Sequence, residues 1–325
     1  MQRLLYPAIA LMNRLSFGLK FSLISVLFFL PMLVTSFYLV RDAYRQYHAT
    51  HVELRGLGPL AGSLVLRADL ETLGNLLQIN AVLGQSGQAG DVEQRINALE
   101  DKLAAQLQAL QSSDPLLEDK RAELSEAFTR ARDESSLQNK VALFDKLLGQ
   151  AQVLAKLLAA QAGLSQDSQA SVRQLTEVLG TATAQVTQTL GEGRAMGAVA
   201  LGRGFIDSAG SARFEDLLQR LERLGADYAI RLDDALASDS QAKAMLSATA
   251  QASQATVKQA ATLFEDQVVV GETLDAPWPA FYQQVSELMG QTYRLNDAVL
   301  AQLRVQLQER LAGHRLRMIA LIAAL

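Results

Sequence analysis

The chain has 325 residues, a net charge of −4 and no cysteine, which removes disulfide frameworks, thiolate metal sites and cysteine nucleophiles together. Hydrophobic residues make up 49 % and aromatics only 6 %, with 21 glycines and 6 prolines; that balance suits long helices around an aliphatic core and suits neither a β-sandwich nor a disordered chain. A net-acidic chain lacks the basic face that neutralises phosphates, so nucleic acid is not an expected partner.

From Phe21 to Val40 the sequence reads FSLISVLFFLPMLVTSFYLV without a charge, about the twenty residues that a helix needs to cross the hydrocarbon core. Residues 1–20 carry Arg3, Arg14 and Lys20 and no acid, so the excess of positive charge assigns them to the cytoplasm and assigns the chain from residue 41 to the other side. A cleaved signal peptide is the rival reading, but the run ends TSFYLVRDAY, with bulky residues where cleavage wants small ones. A retained anchor over 21–40 is therefore expected. Pro31 lies mid-span, which membrane helices tolerate.

The rest reads as helix after helix. Gly56, Gly58 and Pro59 predict a first bend, and GQSGQAG at 84–90 predicts a loop. Asp91 is an expected N-cap before an apolar stripe of Val92, Ile96, Leu99, Leu103, Leu107 and Leu110. Asp114 followed by Pro115 has the pattern of a cap with proline at the first helical position. Helices are expected over 137–162 and 166–192, with Gly163 between them. Phe214, Leu217, Leu221, Tyr228 and Leu232 mark another stripe; Ser238 and Asp239 can cap a helix reaching about Val270. Asp275 is expected to cap the last helix, with Pro277 in its first turn.

In that helix Trp278, Phe281, Val285, Leu288, Thr292, Leu295 and Val299 alternate three and four apart, and Leu303 and Leu311 continue the stripe. Such a seam wants a partner helix, within the bundle or across a dimer. The apolar run Met318–Leu325 is too short to span and is expected to be the start of a second transmembrane helix, with an ordinary helix end as the alternative. The fold class is thus all-α: a transmembrane helix over 21–40, a helical-bundle domain over 41–315 built as two four-helix-type bundles, and the start of a second span over 316–325.

The most unusual local text is GEGRAMGAVALGRGF, residues 191–205, with glycines at 191, 193, 197, 202 and 204. Each glycine inside a helix costs about 1 kcal/mol, so the cluster needs a reason. Close packing is one, with Gly193, Gly197 and Ala200 forming a small face. Ligand binding is the other, with Arg194 and Arg203 as guanidinium forks for a carboxylate, nitrate or similar oxyanion and Arg67, in SLVLRADL, completing an anion site.

His48, His51 and Glu53 lie close in sequence, but a structural zinc site wants four ligands and no further partner is evident. Trp278, Phe281 and Tyr282 have core or dimer-seam spacing. The chain shows no Ser-His-Asp set, P-loop or zincin motif, so no catalytic residue, metal or cofactor is expected.

Residues 7–32, PAIALMNRLSFGLKFSLISVLFFLPM, resemble the start of bacterial methyl-accepting chemotaxis proteins with large all-helical periplasmic sensor domains. Residues 191–210, GEGRAMGAVALGRGFIDSAG, resemble an arginine- and glycine-rich block that such sensors carry late in the periplasmic region, and are similar to the arginine-bearing helices of nitrate- and nitrite-sensing domains. In the chemotaxis proteins an Asp-Pro-Asp stretch with paired tyrosines precedes that block; here GLSQDSQASVRQL at 163–175 has neither proline nor tyrosine.

The resemblance implies a chemoreceptor of the bacterial inner membrane, dimeric with a second copy of itself, its periplasmic domain sensing a small molecule, anionic ligands included, or a periplasmic binding protein. Cytoplasmic signalling partners would be reached through residues absent from this chain, such as a HAMP linker and methylated coiled coil. The front end of a histidine kinase or diguanylate cyclase, and a structural membrane-anchored scaffold, are the alternatives.

Overall fold

Text with a 3.6-residue apolar period and few breakers folds here into long helices. The computed structural model describes residues 16–110, 112–271 and 273–323; Arg3 and Arg14 lie outside these. Among the described residues there are nine α-helices and no strand: α1 (Phe17–Leu83), α2 (Val92–Ala109), α3 (Pro115–Arg132), α4 (Leu137–Gln161), α5 (Ala170–Glu177), α6 (Thr183–Arg203), α7 (Ser208–Ala237), α8 (Ser240–Phe264) and α9 (Trp278–Ala323). Two π-helical turns interrupt them, Val178–Ala182 between α5 and α6 and Glu265–Val269 after α8.

The chain divides into two compact units, Met1–His51 with Leu307–Leu325, and Val52–Gln306. In the first, the apolar stretch of α1 is long and apolar enough to cross a membrane, and none of the residues in its apolar window is buried. Phe21, Leu27, Phe28, Phe29 and Phe37 all stand exposed. Among the described residues no other helix passes that test of length and composition.

The second unit is built from capped amphipathic helices. Asp114 Oδ1 accepts from the backbone N–H groups of Leu116 (2.9 Å) and Leu117 (3.1 Å) with Pro115 at the first helical position, and Asp239 accepts from Gln241 at 2.8 Å. These bonds satisfy donors that a helix start leaves unpaired. Asp91 directly precedes α2 but makes no such bond. At α9 the expected cap is displaced. Asp275 accepts instead from the Thr273 hydroxyl at 2.6 Å, and the carbonyl of Pro277 receives the Ala280 and Phe281 N–H groups.

Two further expectations are corrected. The chain does not bend at Gly56, Gly58 and Pro59; α1 passes through them unbroken. Leu57 and Leu60 are wholly buried there, and a Cβ on Gly56 would lie 2.3 Å from that of Ala162. Glycine thus serves close approach of chains, and burial overrides the local breaker signal. The helix expected to stop near residue 192 continues to Arg203. Gly163 (φ 85°) turns the chain into a short 3₁₀ stretch, and Gly204 (φ 76°) closes α6 in the left-handed conformation, a shape glycine adopts without steric cost.

Two glycines inside α6, Gly193 and Gly197, face aromatic rings. A Cβ at Gly193 would stand 2.4 Å from the Phe264 ring and one at Gly197 would stand 2.3 Å from the Phe281 ring. Phe214 meets Phe264 edge-to-face and Phe264 meets Phe281 at a tilt, at centroid spacings of 6.2 and 5.9 Å, so the small face of α6 is what lets three helices bring their aromatics together. In α9 the predicted stripe is buried from Trp278 to Val299, except that Met289 takes the interior place expected for Leu288.

Candidate functional site

Residues four apart on a helix share a face, and on α1 this aligns Arg67, Glu71 and Asn75. All three are buried, with relative exposures of 2 %, 2 % and 7 %. Opposite them α6 presents Thr187, Gly191 and Arg194, and α9 presents Tyr282, Ser286 and Tyr293. Arg194 directs Nε (3.0 Å) and Nη2 (2.8 Å) to Asn75 Oδ1 and Nη1 (2.9 Å) to Ser286 Oγ. Its guanidinium also lies 4.5 Å from the Tyr282 ring centroid, and Arg95 lies 5.0 Å from the same ring, a geometry in which a cation is attracted to the aromatic face. Arg67 donates Nη2 to Thr187 Oγ1 at 3.2 Å.

The carboxylate at the centre of this cluster is incompletely bound. Tyr293 Oη donates to Glu71 Oε2 at 3.4 Å, whereas Glu71 Oε1 meets no donor in hydrogen-bonding geometry among the described residues. Burial pushes the Glu71 carboxyl above its ordinary value; the Arg67 and Arg194 charges and the hydroxyls of Thr187 and Tyr293 pull it down without overcoming that. Burial, and then the Glu71 charge, push the Tyr293 phenol up.

Above this floor lies an open cavity of about 810 Å³, within the size range of small-molecule sites. Glu71 and Asn75 line it, with Asp145 of α4, Gln188 and Glu192 of α6, and Arg213 of α7. Apolar lining comes from Val82, Leu148, Met196 and Val199. Partial burial raises the Asp145 carboxyl, and the Glu192 charge adds to it. Glu192 is itself paired with Arg220 at 2.8 Å.

The three arginines singled out from sequence are therefore not in one place. Arg67 and Arg194 flank Glu71 beneath the cavity, with the Arg194 fork engaged by Asn75 and Ser286. Arg203 is exposed, stacks over Phe205 at 4.2 Å, pairs loosely with Asp207 at 4.0 Å, and lines a smaller cavity of about 290 Å³. Sequence reasoning missed Glu71, Asn75, Thr187, Ser286 and Tyr293. A signal existed for the first two, since Arg67, Glu71 and Asn75 form a polar i, i+4, i+8 row in aliphatic text. His48 and His51 stand beside Tyr44 and Tyr47, each at a ring spacing of 6.2 Å, and among the described residues no group of three potential metal ligands forms.

Fold and site together define an all-helical protein with one apolar N-terminal helix and a buried guanidinium–carboxylate cluster under an open cavity. Comparison with known proteins finds no family model, curated protein or solved structure that matches the chain.

Proposed function

We propose that the chain is the sensory part of a transmembrane receptor of the chemoreceptor type, anchored in the bacterial inner membrane by 21–40, with a periplasmic helical domain of two four-helix-type bundles, stacked or side by side, that binds a small solute or a solute-binding protein. The observation that carries this reading is the composition of the buried cluster. Two of the three helices that build it, α1 and α9, also supply residues to the other unit. A ligand that alters the balance among Arg67, Glu71, Arg194 and Tyr293 acts on both helices at once. Small displacements of packed helices are a known switching mode, and a homodimer would pass such a displacement between paired copies. The same architecture serves histidine kinases and diguanylate cyclases, whose output domains would be other chains or other residues.

The test uses the absence of cysteine. A single cysteine introduced at Leu316, in the full chain reconstituted in lipid nanodiscs, carries one spin label per protomer. Distances between labels are measured with and without amino acids, organic acids, nitrate, phosphate and amines. A shift with one chemical class supports the receptor reading. A compound that binds but leaves the distance distribution unchanged sinks it and favours a static scaffold.

A further inference from the structure

The net charge of −4 conceals a polarised chain. Residues 52–306 hold 22 basic and 32 acidic residues, whereas residues 41–51 and 307–317 together hold five arginines against Asp42 and Glu309. Both short segments belong to one compact unit, together with the apolar stretch of α1 and the C-terminal end of α9. Arg41 directly follows the apolar run that ends at Val40, and Arg45 stands one turn, about 6 Å, further along the helix. Arg315 and Arg317 stand just before the apolar end of α9 at 318–323, where Leu316 and Ile319 are exposed.

All four of these arginines are exposed, and among the described residues none of them pairs with a carboxylate. Asp42, between Arg41 and Arg45, accepts from Gln46 at 2.8 Å instead. In the other unit Arg132, Arg220 and Arg231 each reach two carboxylates. Guanidinium forks left unpaired beside an apolar span meet phosphate oxygens once that span lies in a bilayer, and each can grip phosphate through two parallel N–H groups. The headgroup layer on one side of the hydrocarbon core is about 5–7 Å thick, which matches the rise of about 6 Å from Arg41 to Arg45. Tyr38 and Tyr44 are exposed on either side of Arg41 in the sequence, and tyrosine rings favour that same layer.

From this juxtaposition we infer that Arg41, Arg45, Arg315 and Arg317 form a collar that binds the phosphate headgroups of anionic phospholipids in the leaflet facing residue 41. The inference rests on the reading of 21–40 as a membrane span and not on signalling. It gives a partner, an anionic lipid surface, to charges that the fold leaves unpaired. The acidic surplus of 52–306 is repelled by such a surface, so the attraction is confined to the collar.

The experiment adds equal amounts of phosphatidylglycerol and phosphatidylcholine to the full chain in detergent micelles, and native mass spectrometry counts the molecules of each that stay bound. Phosphatidylglycerol should be retained over phosphatidylcholine at least about fivefold, the worth of one arginine at a membrane surface. Replacing all four arginines by glutamine should lower that preference at least about fivefold. Arg14 and Lys20 are the same in both proteins, so the ratio between them isolates the collar. The fourfold Arg→Lys variant keeps the charge and should retain most of the preference, which separates loss of charge from loss of fold. Equal retention of the two lipids by the wild type, or a preference that the glutamine variant keeps, overturns the collar and leaves the span intact. Loss of preference in the lysine variant as well overturns its electrostatic basis. Flotation of the wild type with phosphatidylcholine vesicles in a density gradient tests the span itself, and a chain that stays at the bottom removes span and collar together.

Discussion

Gly191 and Glu71 approach so closely that a methyl group on the one would stand 3.0 Å from Oε1 of the other. That spacing is tighter than ordinary van der Waals contact, so a side chain at 191 would make the carboxylate and the neighbouring amide give way by a few tenths of an ångström. Gly191→Ala should therefore cost about 1 kcal/mol through overpacking of the buried Glu71 and Asn75 side chains. Urea melts of the two proteins measure it. An unchanged or raised midpoint would show that the two side chains yield to the new methyl group without loss.

The other glycines make opposite predictions. Gly197→Ala drives a Cβ into the buried Phe281 ring at 2.3 Å, and overpacking of this kind costs about 1–3 kcal/mol. Gly74, in the interior of α1, has nothing within 4 Å of its Cβ position; Gly74→Ala should stabilise by up to about 1 kcal/mol. Chemical denaturation of the two variants should move the midpoint in opposite directions.

Two aspartates that look alike in sequence should differ when replaced. Asp114→Ala removes two cap bonds to α3 and should cost about 1 kcal/mol. Asp91→Ala removes none and should change stability by less than about 0.5 kcal/mol. Equal losses in urea melts would show that the cap bond is not what matters at Asp114.

The pH dependence of stability should carry the mark of Glu71. Its neighbours are Arg67 on its own helix, Arg194 and Thr187 on α6, Tyr293 on α9, and Asp145 and Glu192 across the cavity. Because burial raises its pKa above the ordinary 4.5, the folded state holds this proton more tightly than the unfolded state does. Its contribution is therefore fully present below that ordinary value and is lost as pH rises through the raised one. Wild type should lose stability relative to Glu71→Gln as pH rises from 4 to 8 in parallel urea melts. A difference that grows in favour of wild type would mean the two arginines dominate and hold the carboxyl ionised.

Tyr228 makes a second, independent pH prediction. Its hydroxyl pairs with Ser253 at 2.7 Å, and Ser253 in turn with Thr292 at 2.8 Å. Burial pushes its pKa up to about 12 from the usual 10.0. The folded state thus favours the neutral phenol, and stability present below pH 10 should fall between pH 10 and 12, by about 1.4 kcal/mol for each pH step. Tyr228→Phe should flatten that decline.

Most of the helical text was legible because its signals are local. The Asp114–Pro115 start, the loop at 84–90 and the stripe from Phe214 to Leu232 depend on neighbours within a turn or two. The bend expected at Gly56 and the stop expected near residue 192 failed for a common reason. Glycine and proline read as breakers until one knows what packs on them, and here Ala162, Phe264 and Phe281 do. Arg67 and Arg194 were visible as charges in apolar or glycine-rich text. Tyr293 and Glu71 meet across 222 residues, and no local pattern announces a pairing of that separation.

The π-turn at Val178–Ala182 gives the α5–α6 rod one residue more than a regular helix would use over the same distance. Each residue of an α-helix turns the chain by about 100°, so the surplus sets the angular phase of everything that follows, including Thr187, Gly191 and Arg194. Homologous chains that lose or gain a residue in this turn would keep every side chain of the cluster and still be unable to assemble it. Length in this short segment should therefore be held more strictly over evolution than the identity of the residues that fill it.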